Sequence, residues 1–72
     1  MHVVINGQGR DLAELSGSAT VADLVAVLGL KGDRVAIEQN GEIVMRSDWN
    51  EAAVHDDDRF EIVHFVGGGM PR

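Results

Sequence analysis

Apolar and polar positions alternate in several short stretches of the chain, and this alternation is typical of half-buried β-strands. The predicted strands span residues 3–5, 11–15, 35–39, 42–46 and 60–66. Asn-Gly pairs at residues 6–7 and 40–41 separate the first two strands and the third from the fourth. Asn-Gly is a strong signal for a two-residue hairpin turn. The pattern therefore predicts two hairpins and a final single strand.

One segment follows a helical period instead. Positions 21, 24, 25 and 28 are apolar, which is the spacing of one helix face. Thr20 and Asp23 form a predicted capping box at its start, and Gly29 followed by Leu30 predicts its end. A helix this short is marginal in isolation, so we expect it to pack on the sheet. The order of elements predicts an α+β domain with one sheet over one helix.

The last strand should present different residues to its two sides, because successive side chains point in opposite directions. Phe60 and Ile62 are predicted to face the helix, since Glu61 between them belongs in water. Val63 and Phe65 are then predicted to be exposed. Other local predictions concern a capped single turn at residues 47–50, whose Trp49 partly covers the core edge, and a solvated acidic loop at residues 56–58.

Composition and charge limit the classes of protein and of function to which the chain can belong. The 72 residues suffice for one domain, the 44% apolar content argues against disorder, and cysteine is absent. A net charge of −6 disfavours nucleic-acid binding; it fits either a partner with a basic docking patch or simple solubility. No apolar run is long enough to span a membrane, and no signal peptide is visible, so we expect a cytoplasmic protein.

Catalytic or metal-binding constellations are not evident. His2, His55 and His64 lack the spacing of a shared metal site, and no nucleophile has a neighbouring base. The most distinctive feature is the run Gly67-Gly68-Gly69 directly after the last strand. Glycine without a Cβ can extend into a slot too narrow for other residues, so the run predicts a functional tail rather than a packed segment.

Three segments resemble the ThiS family, the sulfur carrier proteins of thiamine biosynthesis. They are residues 40–44, Arg46 together with Trp49, and residues 58–69 with their closing glycines. The resemblance implies a ubiquitin-like β-grasp domain at residues 1–66, with a mixed sheet of four to five strands on one helix. It also implies a flexible glycine tail at residues 67–72.

The resemblance further implies a protein co-substrate rather than an enzyme, with no cofactor bound to the chain itself. A ThiF-like adenylating enzyme would use ATP and magnesium to activate the carboxylate of Gly69, or of Gly68, with Gly67 in the tail. Sulfur from a cysteine desulfurase route would give a thiocarboxylate, which a ThiG-like thiazole synthase would consume. Partners would dock on Val63 and Phe65.

Val4, on a neighbouring strand, is the third predicted docking residue. The chain departs from the family pattern at Met70-Pro71-Arg72, which follow the glycines. A maturation protease, a cloning remnant, or a paralogue without sulfur transfer would each account for them. Other functions remain open: the small subunit of molybdopterin synthase, a carrier for another pathway, and a ubiquitin-like modifier or binding module.

Overall fold

A computed structural model describes residues 1–65, and expectations about Gly67, Gly68, Gly69 and the tail fall outside them. The strands are β1 His2–Ile5, β2 Gln8–Asp11, β3 Val35–Gln39, β4 Glu42–Ile43 and β5 Arg59–His64. The helix α1 spans Val21–Val27, and single 3₁₀ turns span Gly32–Arg34 and Arg46–Asp48. In the described part of the chain, no helix is long and apolar enough to cross a membrane.

The five strands form one mixed sheet in the order β2-β1-β5-β3-β4. β5 is the last strand in the chain but occupies the centre, where it runs parallel to β1 and antiparallel to β3. The two hairpins β1-β2 and β3-β4 flank it. One helix against a sheet of this order confirms the predicted α+β class and the β-grasp arrangement.

The core lies between α1 and one side of the sheet. The strand residues that face α1 are buried; they are Val3, Ile5, Val35, Ile37, Phe60 and Ile62. The predicted capping box of α1 is confirmed: the Thr20 hydroxyl accepts from the Asp23 N–H at 3.3 Å, and the Asp23 carboxylate accepts from the Thr20 N–H at 2.9 Å. Loss of such a cap typically costs about 1 kcal/mol.

The second strand differs from its prediction at residues 11–15. β2 begins at Gln8, because the two-residue Asn-Gly turn places that residue directly opposite Ile5. All four residues of β2 are exposed. Leu12 and Leu15, which suggested the strand, are buried from the loop that follows it. The fourth strand is likewise shorter than residues 42–46, since β4 ends at Ile43.

Trp49 lies deeper than predicted. Only 7% of it is exposed, so it is a core residue and not a partial cover of the core edge. Its Nε1 donates to the Val44 carbonyl at 3.0 Å. A Cβ built on Gly32 would lie 3.2 Å from its Cζ3 atom, so the indole ring packs closely under that backbone. The adjacent turn exists as a 3₁₀ turn, but Met45 at its start provides no side-chain cap.

Candidate functional site at the central strand

β5 carries the chain from the core toward the glycine tail. The sheet holds the chain beyond the end of this strand, because the Phe65 N–H donates to the Arg34 carbonyl at 2.8 Å. Gly67 follows Phe65 by two residues in the sequence. The predicted functional site thus follows, in the sequence, a segment whose backbone is held by the residue that precedes β3.

Side chains from both Asn-Gly turns fasten β5 in place. The Asn6 side chain accepts from the Ile62 N–H at 2.7 Å and donates to the Ile62 carbonyl at 3.3 Å, as a neighbouring strand would. The Asn40 side chain accepts from the Arg59 N–H at 2.9 Å, and its backbone N–H donates to the Arg59 carbonyl at 2.7 Å. Both asparagines have a positive φ, 50° and 52°, as their turns require. β5 is therefore anchored near each end by a turn residue.

The prediction of a solvated loop at residues 56–58 is wrong for Asp58, which lies directly before β5. It is buried, with 8% exposed. Its carboxylate accepts from the Gln39 side chain at 2.9 Å, the Asn40 side chain at 3.0 Å and the His55 N–H at 2.8 Å. Burial alone would raise the pKa of Asp58, but the hydrogen bonds from Asn40, His55 and Gln39, with a smaller contribution from the His55 charge, outweigh it and hold the pKa below its ordinary value.

The two sides of β5 differ as predicted. Phe60 and Ile62 are 1% and 7% exposed and face α1, which confirms their assignment to the core. Val63 and Phe65 are 58% and 48% exposed, which confirms the prediction that both are exposed on the other side of the strand. Contiguous exposed apolar residues are typical of interaction surfaces, so this side is the candidate docking surface.

We call the side of the sheet away from α1 the outer face; its residues include Val4, Ala36, Glu38, Ile43, Arg59, Glu61, Val63 and, just past β5, Phe65. Val4 is half-buried and lies beside Arg59, four residues before Val63. At about 3.3 Å per residue this separation is about 13 Å. Val4 thus shares the face but is not adjacent to the other two predicted docking residues.

The sequence analysis did not predict the exposure of two further apolar residues. Ile43 and Met45 are 70% and 62% exposed. Ile43 pairs with Glu38 across the β3-β4 hairpin and therefore shares its side of the sheet. The sequence does contain a signal for the exposure of Ile43. A two-residue Asn-Gly turn fixes the register that pairs Ile43 with Glu38, and Glu38 belongs in water.

The three histidines are dispersed. His2 Nδ1 lies 3.1 Å from the Asp57 carboxylate, and His55 Nδ1 lies 3.8 Å from the Asp58 carboxylate. Among residues 1–65 no three histidine or acidic side chains are arranged to hold a metal ion. Within residues 1–65, the candidate functional site is the exposed side of β5 around Val63 and Phe65.

Comparison with known sequences shows which family this chain resembles. The sequence model of the ThiS family matches residues 3–69. Among curated relatives, the sulfur carrier protein ThiS of Bacillus subtilis is 39% identical over 61 residues, which are 85% of this chain and 92% of the relative.

Two other relatives are named thiazole synthase. The one from Paramagnetospirillum magneticum is 46% identical over 69 residues, and the one from Magnetococcus marinus is 32% identical over 70 residues. The matched regions are 96% and 97% of this chain but 20% and 21% of those relatives. This chain therefore spans about a fifth of their length.

Solved structures share the fold as well. The crystal structure of a thiamine biosynthesis protein (ThiS) from Geobacter metallireducens superposes with a TM-score of 0.81 at 30% identity. The match covers 96% of this chain and 100% of that one. A solution NMR structure of a thiamine biosynthesis protein from the same organism gives a TM-score of 0.78 at 29% identity and covers all of this chain.

Proposed function

Because the chain belongs to the ThiS family, we propose that it is a sulfur carrier protein of thiamine biosynthesis that carries sulfur on the carboxyl group of Gly69. One observation carries the proposal: the family match runs from residue 3 to Gly69, the last of the three glycines. Met70, Pro71 and Arg72 lie outside that match. In the proposed active form, cleavage after Gly69 frees its carboxylate.

The chemistry requires two steps at that carboxylate. In the first, a carboxylate oxygen attacks the α-phosphorus of ATP on an adenylating enzyme, pyrophosphate leaves, and an acyl-adenylate forms. In the second, a hydrosulfide sulfur attacks the acyl carbon, AMP leaves with the electron pair of the C–O bond, and a thiocarboxylate remains. An amide bond from Gly69 to Met70 would leave no carboxylate to activate, which is why cleavage is part of the proposal.

In this scheme the folded domain holds the base of the arm that carries the reactive carboxyl group. The partner supplies the catalytic groups, ATP and magnesium. A reactive group on an extended arm must be delivered with its base held still, because misplacement by about 1 Å can cost 10²-fold in rate. The hydrogen bonds from Asn6 and Asn40 to β5, and from Phe65 to Arg34, restrain that base. Val63 and Phe65 provide exposed apolar contacts beside it.

Thiazole synthase is the proposed acceptor of the sulfur. Two relatives with that name contain a region similar to this chain within chains about five times as long. A carrier and an acceptor that act in succession gain from a high effective concentration when they are linked. This similarity supports thiazole synthase as the acceptor over the large subunit of molybdopterin synthase.

The proposal is tested with the chain ending at Gly69 and the 72-residue chain side by side. Each is incubated with a ThiF-like adenylating enzyme, ATP, magnesium and sulfide, and its intact mass is measured. We expect the Gly69-ended chain to gain the mass difference between sulfur and oxygen, and the 72-residue chain to be unchanged. Failure of the Gly69-ended chain to form either the acyl-adenylate or the thiocarboxylate would contradict the proposal.

The acceptor is tested separately. The thiocarboxylate form is offered to a ThiG-like thiazole synthase with its other substrates, and to the large subunit of molybdopterin synthase. We expect loss of the sulfur mass and thiazole formation only with the former. Sulfur loss only with the latter would move the chain to the molybdenum cofactor pathway while leaving its carrier role intact.

A further inference from the structure

Two glutamates face each other across the centre of the outer face. Glu38 of β3 and Glu61 of β5 are direct partners in the antiparallel register, and both are exposed. Like charges directly opposite each other on a sheet destabilise the pair. The sheet therefore holds, on its outer face, a concentrated negative charge that does not help the domain to fold.

Neither glutamate forms an ion pair with a basic side chain of residues 1–65. The ion pairs within residues 1–65 involve His2, His55 and Arg34 as the basic partners, and neither glutamate takes part in one. Arg59 is on the same face, two residues before Glu61, and also forms no ion pair there. The two carboxylates remain available to a cation from another molecule.

Apolar side chains border the two carboxylates. Ile43 lies opposite Glu38 on the next strand, and Val63 lies two residues beyond Glu61 in the direction of the tail. Both are well exposed, at 70% and 58%. A partner that covers these residues would exclude water around the carboxylates, and an ion pair is stronger where water is excluded.

We propose that Glu38 and Glu61 together receive a single arginine or lysine side chain of the adenylating enzyme, with Ile43 and Val63 in apolar contact around it. This inference rests on the proposed sulfur-carrier function and adds the chemistry of its first partner. The adenylating enzyme is the partner chosen because it must bring a negatively charged protein, with net charge −6, up to the phosphates of ATP. A basic docking side chain offsets that repulsion and directs the encounter.

The test compares two double variants of the Gly69-ended chain that remove the same charge. Glu38→Gln with Glu61→Gln neutralises the proposed receptor. Glu14→Gln with Glu51→Gln neutralises two exposed glutamates that lie outside the sheet. Affinity for the adenylating enzyme is measured by calorimetry at low and physiological salt, adenylation is followed by pyrophosphate release, and stability is measured by urea unfolding.

We expect the receptor variant to bind at least about tenfold more weakly, with a smaller dependence of affinity on salt. Its KM should rise while kcat at saturation stays unchanged, because the carboxylates do not touch the reacting atoms. Its stability should be equal or higher, since the repulsion is relieved. The control variant should bind within about twofold of the parent chain.

Equal losses in both variants would overturn the proposal, because they would show general steering by charge instead of a defined receptor. Unchanged affinity in the receptor variant would overturn it as well. So would a loss of affinity for thiazole synthase alone. If the parent chain binds the adenylating enzyme through these glutamates but forms no acyl-adenylate, the docking inference stands and the sulfur-carrier function fails.

Discussion

At the scale of single residues, three consecutive aspartates occupy very different environments. The Asp57 side chain is 83% exposed, whereas the Asp58 side chain is 11% exposed. Asp58 accepts hydrogen bonds from both Gln39 and Asn40, on the hairpin between β3 and β4. Its carboxylate thus ties that hairpin to the start of β5, and its ionised form is the one that the fold stabilises.

This environment predicts a pH-dependent stability. The pKa of Asp58 in the folded state is below its ordinary value of 3.8, so its contribution is complete above that value and disappears as the pH falls through the lower folded-state pKa. Asp58→Asn should lower the free energy of unfolding by about 1–3 kcal/mol at pH 7, because one oxygen acceptor is replaced by a donor facing other donors. Urea unfolding from pH 7 to pH 2 measures both effects.

The difference between the parent and Asp58→Asn should shrink at the acid end of that range. Asp11→Asn serves as the control, since Asp11 is exposed on β2. A destabilisation by Asp58→Asn that is the same at pH 2 and pH 7 would show that its charge plays no part.

The sequence alone could not single out Asp58. Residues 56–58 are identical, and a run of acids is normally solvated. What distinguishes Asp58 is the approach of Gln39 and Asn40, which are 19 and 18 residues away in the chain. Contacts of that kind depend on the completed sheet, so they are visible only in the structure.

At the scale of elements, β5 depends on the two hairpin turns that flank it. Asn6→Gly should retain the turn, because glycine accepts the positive φ of 50°, and should remove both side-chain hydrogen bonds to Ile62. We expect the free energy of unfolding to fall by about 1–2 kcal/mol. Hydrogen exchange should show selective loss of protection at the Ile62 amide, whose acceptor is the removed side chain.

A matched substitution tests whether glycine itself is the cause. Asn50→Gly changes an exposed turn residue whose side chain makes no hydrogen bond within residues 1–65. It should leave exchange at Ile62 unchanged. Normal protection of that amide in Asn6→Gly would mean that the side-chain bonds do not anchor β5.

Local signals predicted the elements well where the determining contacts are close in sequence. The capping box of α1 and the Asn-Gly turns involve neighbouring residues, and both were correct. The exposed and buried sides of β5 followed from alternation around Glu61. β2 was misplaced because an exposed edge strand carries no apolar pattern, while Leu12 and Leu15 supplied a misleading one from the adjacent loop.

At the scale of the whole molecule, the sheet divides core and surface between its two sides. α1 and its loops cover one side, and every described strand residue of the buried core points there. The outer face keeps Ile43 and Val63 exposed, and Phe65 continues it past β5, although a chain of 72 residues has little apolar area to spare. Their exposure is therefore explained better by a partner than by folding.

Neighbouring positions on opposite sides of the sheet provide the test of this division. Phe65→Asp should change the free energy of unfolding by no more than about 0.5 kcal/mol, because the side chain is 48% exposed and lies just past β5. Ile62→Asp should unfold the domain or destabilise it by several kcal/mol, since it buries an unpaired carboxylate in the core. Urea unfolding measures both, and calorimetry with the adenylating enzyme measures docking. We expect Phe65→Asp to bind more weakly while folding normally; normal binding would exclude Phe65 from the interface, and unfolding would show that Phe65 stabilises the core instead.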